Sequence, residues 1–344
     1  MKIVFLYTEL AEYTMACCNE LARHAEVHIV RYPVNKEAPF KFDFKDLNIY
    51  DKYDFSEETL QKKIEEIKPD KIVCSGWIDK DYLKIVKNYS GKIPTVIALD
   101  THWKGTWKQQ LACIMSRFFI LDRFSHAWVP GEPQKKYALK LGFKSERISK
   151  GFYSADVNRF NSLFEKFKNE KERNFPKRFL FVGRYYEFKG IRDLWQAFIE
   201  LQNEKESEWE LWCCGTGDVE PMQHKQIKHF GFVQPDAFEE IISTTGVFVL
   251  PSRFEPWGVV VHEYAAAGYP LLLSSEVGAK EAFLQENVNG YSFQSQNVAM
   301  IKEALKKIIN SSDKELNLMA ESSHQKAQSI TPSIWVSTLL NIKL

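Results

Sequence analysis

Short, uninterrupted apolar runs alternate with helix-period stretches along this chain, and the alternation runs through twice. In the first half, KIVFLY (2–7), EVHIVR (26–31), KIVCSG (71–76), TVIALD (95–100) and HAWVPG (126–131) read as strands. Runs without polar alternation suit strands covered on both faces, as in parallel sheets. Helical stretches occupy 10–24, 56–67, 79–88, 104–122 and 132–141. Strand–helix–strand order of this kind builds parallel βαβ units. The pattern restarts with RFLFVG (178–183), WELWCCG (209–215), IKHFGF (227–232), VFVLPS (247–252) and PLLLSS (270–275). Helices are expected over 190–202, 235–243, 256–267, 297–309 and 313–328. The charged run 162–178 between the halves reads as a linker or a solvated helix. Thr331 and Pro332 suit the start of a last helix. Its Ile334, Trp335, Leu339 and Leu340 form an apolar stripe that must bury against something.

With 344 residues the chain suits two domains. Two doubly wound domains are expected to leave a cleft, with ligands at the carboxyl ends of the strands. Hydrophobic residues at 44% and charged ones at 26% are a soluble, globular balance. A net charge of +1 gives no global drive toward nucleic acid. Residues 101–150 are the exception, with ten Lys and Arg against three acids. That excess suits either an anionic membrane surface or a set of solvated helix faces. The six cysteines have neither metal-ligand spacing nor a disulfide framework, which points to buried thiols in a reducing compartment. MKIVFLYTEL reads as a first strand rather than a signal peptide, and no run approaches the length of a membrane span. A cytoplasmic protein is expected, with peripheral contact at the inner face of the membrane as an option.

The stretch RFEPWGVVVHEYAAAG (253–268) places two carboxylates, Glu255 and Glu263, around an expected helix start. Pro256 suits the first helical position. Free amides at Gly258, Val259 and Val260 would form an anion site suited to phosphate. Eight residues of helix separate the acids by roughly 12 Å, about the reach from the sugar to the ribose of a nucleoside diphosphate sugar. Ionised carboxylates are pure acceptors for vicinal hydroxyls. In FVGRYYEFKG (181–190), Arg184 and Lys189 can both reach one diphosphate and neutralise charge on a leaving nucleotide. In CCGTGD (213–218), Gly215 lets a loop pass close to a ligand, or marks a plain turn.

Taken together, VGRYYEFKG, CGTG, VLPSRFEPWGVVVHEYAAAGYPLLLSSEVGAKE and NVNGYSF resemble the C-terminal domain of retaining glycosyltransferases of GT-B fold, family GT4, with Glu255 and Glu263 as the E-x7-E pair. The resemblance covers about 178–295. It implies two Rossmann-like domains facing a cleft, with the last helix crossing back. The N-terminal, acceptor-binding domain would be 1–157 plus 331–344, and the donor-binding domain 158–330. It also implies that Arg184 and Lys189 grip the donor diphosphate and Glu255 positions the donor sugar. Amides at Gly258, Val259 and Val260 would lie on phosphate or sugar, and Glu263 on the ribose. The loop 231–235, with Phe232 and Val233, would hold the base.

The acceptor side is less legible. The loop YTELAEYT (7–14) lacks the Gly-Gly often found there in this family, leaving Thr8, Glu9 and Tyr13 as lining candidates and helix capping as the other role of Glu9. His102, after the fourth strand, is the candidate partner of the reacting sugar, with Asp100 competing. Trp103 and Trp107 suit either an acceptor platform or core packing. Asp79 and Asp81 imitate a metal-binding DxD but sit where a helix begins and acids complement its dipole. No metal or other cofactor is expected beyond the nucleotide diphosphate sugar as co-substrate. The implied function is sugar transfer to a saccharide or lipid-linked hydroxyl acceptor in cell-surface polysaccharide or lipopolysaccharide synthesis. A sugar-nucleotide epimerase and a non-catalytic nucleotide-binding scaffold are the alternatives. A nicotinamide dehydrogenase is disfavoured, because the first loop has no glycine.

Overall fold

The computed structural model describes residues 1–33, 44 and 46–344. The chain forms two compact units, Met1–Ala155 with Ile330–Leu344, and Asp156–Ser329.

The first unit is built on seven parallel strands: β1 (Lys2–Tyr7), β2 (Glu26–Arg31), β3 (Asn48–Asp51), β4 (Lys71–Cys74), β5 (Thr95–Ala98), β6 (His126–Val129) and β7 (Ile148–Lys150). They lie in the order β3-β2-β1-β4-β5-β6-β7. Helices α1 (Glu12–Ala22), α2 (Glu57–Ile67), α3 (Lys80–Tyr89), α4 (Trp107–Phe119) and α5 (Glu132–Lys140) connect them. Side chains alternate across a strand, so β1 serves two cores. Ile3, Phe5 and Tyr7 enter one, and Val4 and Leu6 enter the other. This is why its sequence reads as a continuous apolar run.

The second unit begins with α6 (Val157–Arg173) and carries six parallel strands: β8 (Arg178–Val182), β9 (Glu210–Cys214), β10 (Ile227–His229), β11 (Val247–Leu250), β12 (Leu271–Ser274) and β13 (Gly290–Phe293). Their order is β10-β9-β8-β11-β12-β13. The helices are α7 (Ile191–Glu204), α8 (Phe238–Thr244), α9 (Val259–Ala266), α10 (Lys280–Phe283), α11 (Val298–Ile309) and α12 (Asp313–Ala327). Each sheet reverses its winding once, at β1/β4 and at β8/β11. Both units are therefore Rossmann-like.

Three differences from the sequence reading have physical causes. The strands β3, β7 and β13 went unread; all are sheet edges, where one flank is wet and no apolar run is required. The charged run at 162–178 is not a linker. Most of it is α6, which buries Leu163 and packs on α8, α9 and α12; Lys171 is buried as well, over the Tyr269 ring, while Glu165, Lys166, Glu170, Glu172 and Arg173 face outward. The last helix, α13 (Pro332–Asn341), packs on α1 within the first unit. Its buried face is Trp335, Val336 and Leu339, continued by Ile342, whereas Ile334 faces solvent. Of the expected stripe, Trp335 and Leu339 are buried and Leu340 packs in part on the same core, while Val336 takes the place expected of Ile334. Trp335 stacks near Phe5 and Trp128, with ring centroids 6.1 and 4.7 Å away, and donates Nε1–H to the Phe152 carbonyl at 2.7 Å.

The carboxyl end of α13 is held by two cations. Lys71, almost wholly buried on β4, donates from Nζ to the carbonyls of Leu339 and Leu340. Burial lowers its amine to about 8. Arg147 donates to the Lys343 carbonyl at 2.9 Å. Cations at a helix C-terminus meet the negative end of its dipole and the last unpaired carbonyls.

Candidate functional site

In an open α/β sheet, ligands bind outside the carboxyl ends of the strands where the winding reverses. In the second unit that point lies between β8 and β11. The loop after β8 carries Arg184 and Lys189, and the loop after β11 carries Glu255. Topology thus brings together the two stretches that the sequence singled out. Lys189 Nζ meets Glu255 Oε2 at 2.5 Å, with 18% and 12% of the two side chains exposed. Ser252 adds a hydroxyl to the same carboxylate oxygen at 3.4 Å.

The loop 252–258 is fixed from both sides. Arg253 and Phe254 donate backbone N–H groups to the Phe188 carbonyl at 2.8 and 3.2 Å. On the other flank, Glu255 bridges to Val277, and Gly278 donates to the Glu255 carbonyl at 3.0 Å. Arg253 also forks onto Asp193 of α7 at 2.9 and 2.7 Å, which raises the basicity of its guanidinium. A planar fork on a carboxylate sets geometry as well as charge. Arg253 and Asp193 went unnoticed in the sequence, where neither breaks the local pattern.

Glycines make these loop contacts possible. Gly190 has φ +66°, and a Cβ there would lie 2.2 Å from the Pro251 carbonyl oxygen. Gly215 was read as admitting a ligand or as a plain turn. The close approach it permits is to the chain itself: a Cβ would lie 1.9 Å from the Gly183 carbonyl oxygen, and its N–H bonds to Gly231 at 2.7 Å. Gly217 likewise pairs with Tyr185.

The helix start differs from the sequence reading. Pro256 is not in the first turn, since α9 begins at Val259 with Gly258 as its N-cap at φ +92°. Glu255 therefore lies in the loop, and a separation computed as eight residues of helix does not apply. What survives is the helix terminus itself, uncapped by any side chain and positive by its dipole. On α9 only Val260 and Glu263 escape full burial. They lie three apart, on one side of the helix.

The remaining donor candidates fall on neighbouring loops of the same unit. The Arg184 guanidinium lies over the Tyr186 ring, 5.5 Å from its centre. Between them Tyr185 points inward, with its hydroxyl on the Cys213 carbonyl and His229. Phe232 and Val233 are half-buried, in a loop held at Gly231 by Gly215 and at Pro235 by Arg159.

In the first unit the winding reverses between β1 and β4. Thr8, after β1, donates its N–H to Ser75 Oγ, after β4, at 2.9 Å. Tyr13 meets Tyr153 edge-on with centroids 5.5 Å apart, and Tyr153 donates to Asp100 at 3.2 Å. Glu9 is exposed and caps nothing, because α1 starts at Glu12 with Ala11 as its N-cap. His102 is half-buried, and its carbonyl accepts from Gln109 at 2.8 Å. Trp103 is half-buried against the core of the first unit, with its ring 5.7 Å from Tyr137 and under Lys140. Trp107 is exposed. Asp79 caps α3 through Tyr82 N–H and accepts from Tyr32, and Asp81 pairs with Lys52, so both have structural partners.

Residues 163–326 match the family described as glycosyl transferases group 1. An uncharacterized glycosyltransferase of Methanocaldococcus jannaschii is 35% identical over 127 residues, 33% of this chain and 31% of that protein. Spore coat protein SA of Bacillus subtilis is 28% identical over 45% of each. The chain thus spans between about a third and a half of the length of these curated relatives. Among solved structures, Anabaena HepE in complex with UDP and glucose superposes with a TM-score of 0.72 at 14% identity, covering 99% of this chain and 98% of that one. The lipopolysaccharide outer core galactosyltransferase WaaB gives 0.69 at 15% identity, covering 99% and 98%. The chain has the GT-B fold, and most of its second unit is related to the group 1 glycosyl transferases.

Proposed function

We propose that this protein is a retaining glycosyltransferase of GT4 type. It moves a hexose from a nucleoside diphosphate sugar to a saccharide or lipid-linked hydroxyl in polysaccharide or lipopolysaccharide synthesis. One observation carries the reading: Lys189 and Glu255 meet at the β8/β11 reversal beside the uncapped start of α9. A cation, a carboxylate and a positive helix end suit, in turn, a diphosphate, sugar hydroxyls and developing negative charge. Lys189 and Arg184 take the leaving diphosphate with the amides of Gly258, Val259 and Val260. Glu255 orients the sugar, and Glu263 accepts from the ribose. Phe232 and Val233 border the base. In the first unit, His102 serves the reacting sugar, while Thr8, Glu9 and Tyr13 border the acceptor. HepE, solved with UDP and with UDP-glucose, makes a uridine donor the first to test.

The test is a screen of nucleoside diphosphate sugars for release of the nucleoside diphosphate with and without acceptor, followed by NMR of the product anomer. Acceptor-dependent release with retained configuration is expected. Turnover to an epimer without acceptor, or inverted product, would overturn the assignment. Donor binding without turnover would favour the scaffold.

A further inference from the structure

The basic segment 101–150 contains a surface that donor chemistry does not use. The helix α4 has its apolar side turned outward. Trp107, Leu111, Ile114, Met115, Phe118 and Phe119 are all exposed, Ile114 by 73% and Phe118 by 62%. Their spacing is i, i+4, i+7, i+8, i+11 and i+12, a single stripe at helical period. The helix is anchored from its opposite side. Ser116 is buried, with its hydroxyl on the Leu141 carbonyl at 2.6 Å, and Ala112 and Cys113 pack on the core of the first unit.

Charge frames the stripe. At 100° per residue, Lys108 falls at one edge of the stripe, between Met115 and Phe119, and Arg117 lies beyond the opposite edge. The helix has no acidic residue. Lys140, on the neighbouring α5, lies over Trp103. An apolar stripe six residues deep, bordered by cations and backed by a local excess of positive charge, fits a surface that is apolar inside and anionic at its edge. A second copy fits poorly, because a two-fold contact would set each basic rim against itself. Thirteen residues of helix are about 20 Å long, too short to span a bilayer but enough to lie in its interface.

We propose that α4 is a membrane-seating helix: it lies in the plane of an anionic bilayer, with Trp107, Leu111, Ile114, Met115, Phe118 and Phe119 among the acyl chains and Lys108 and Arg117 at the headgroup phosphates. The assignment stands apart from the donor reading, and none of these residues belongs to the donor machinery.

Co-sedimentation of the full chain with vesicles tests it. One set is phosphatidylcholine alone; the other has a third of that lipid replaced by phosphatidylglycerol. Binding to the anionic set is expected, with Trp107 emission shifted to the blue relative to a Trp107→Phe control. The combined variant Ile114→Glu, Phe118→Glu should lower the bound fraction by about tenfold or more, since each side chain loses its transfer from water. Lys108→Glu with Arg117→Glu should lower binding to the anionic set by about tenfold and make it insensitive to salt. All four residues are exposed, so circular dichroism should be unchanged. The proposal is overturned by three results: no vesicle-bound protein at low salt, wild-type binding by the Ile114/Phe118 variant, or a dimer in sedimentation velocity that this variant dissolves while vesicles leave the wild type unbound.

Discussion

Glu255→Gln is the sharpest probe of the β8/β11 loops. The change keeps the volume of the side chain and removes one negative charge beside Lys189. At 2.5 Å and an effective dielectric of about 20, the gross attraction of the pair is about 7 kcal/mol. Desolvation cancels much of that, and breaking a fully buried pair costs about 3–5 kcal/mol. This pair retains some solvent contact, so we expect its loss to cost the free protein about 1–2 kcal/mol. In the wild type, a diphosphate that takes Lys189 must displace Glu255. In the variant that competition is absent, and UDP or GDP should bind about 5–30-fold more tightly by isothermal titration calorimetry. Sugar transfer should meanwhile fall by about a hundredfold or more, because the carboxylate that orients the sugar is gone. Opposite movement of affinity and turnover is the signature. Nucleotide affinity that stays within about threefold of wild type, or weakens, would refute the view that Glu255 and the diphosphate share Lys189.

Gly190→Ala sets a Cβ 2.2 Å from the Pro251 carbonyl in a left-handed conformation; it should destabilise the second unit by more than about 2 kcal/mol, and an unchanged thermal midpoint would show that the loops yield freely. Trp335→Ala removes a side chain wedged between Phe5 and Trp128 and hydrogen-bonded to Phe152. A loss of about 3–5 kcal/mol is expected in urea unfolding, and a loss under about 1 kcal/mol would mean that α13 is dispensable to the first unit. Burial, with Arg147 and Lys71 nearby, pushes the His126 imidazole down to about 4, whereas the unfolded chain takes up that proton near 6.5. The unfolded state therefore binds more protons between these values. Stability is full above about pH 6.5 and is lost as pH falls toward about 4, by up to about 3 kcal/mol. His126→Gln should flatten that slope in pH-dependent denaturation, and an unaltered slope would assign it to other groups.

The limits of sequence reading follow from burial. Strands covered on both faces declare themselves, and β1, β4, β5, β6, β8, β9, β11 and β12 were all legible as apolar runs. Of the four edge strands only β10 was read; β3, β7 and β13 were not, because a strand with one wet flank need not carry such a run. The separate loops of Arg184, Lys189 and Glu255 were visible as glycine- and charge-bearing breaks after strands. The resemblance put all three on one donor, but the direct pairing of Lys189 with Glu255 was not visible, since nothing in a linear spacing says that β8 and β11 are neighbours.

By itself, then, the sequence determined the layer architecture, the alternation of elements and the residue types offered at each strand end, because solvent exclusion writes those into local pattern. Only the tertiary structure decided which offers are combined. It paired Lys189 with Glu255, forked Arg253 onto Asp193, and turned Gly215 toward its own chain. It packed one side of Trp103 against Tyr137 while leaving the apolar stripe of α4 in water. These are contacts between residues far apart in the chain, set by strand order and by which helix face the sheet covers, and a one-dimensional periodicity carries no record of either.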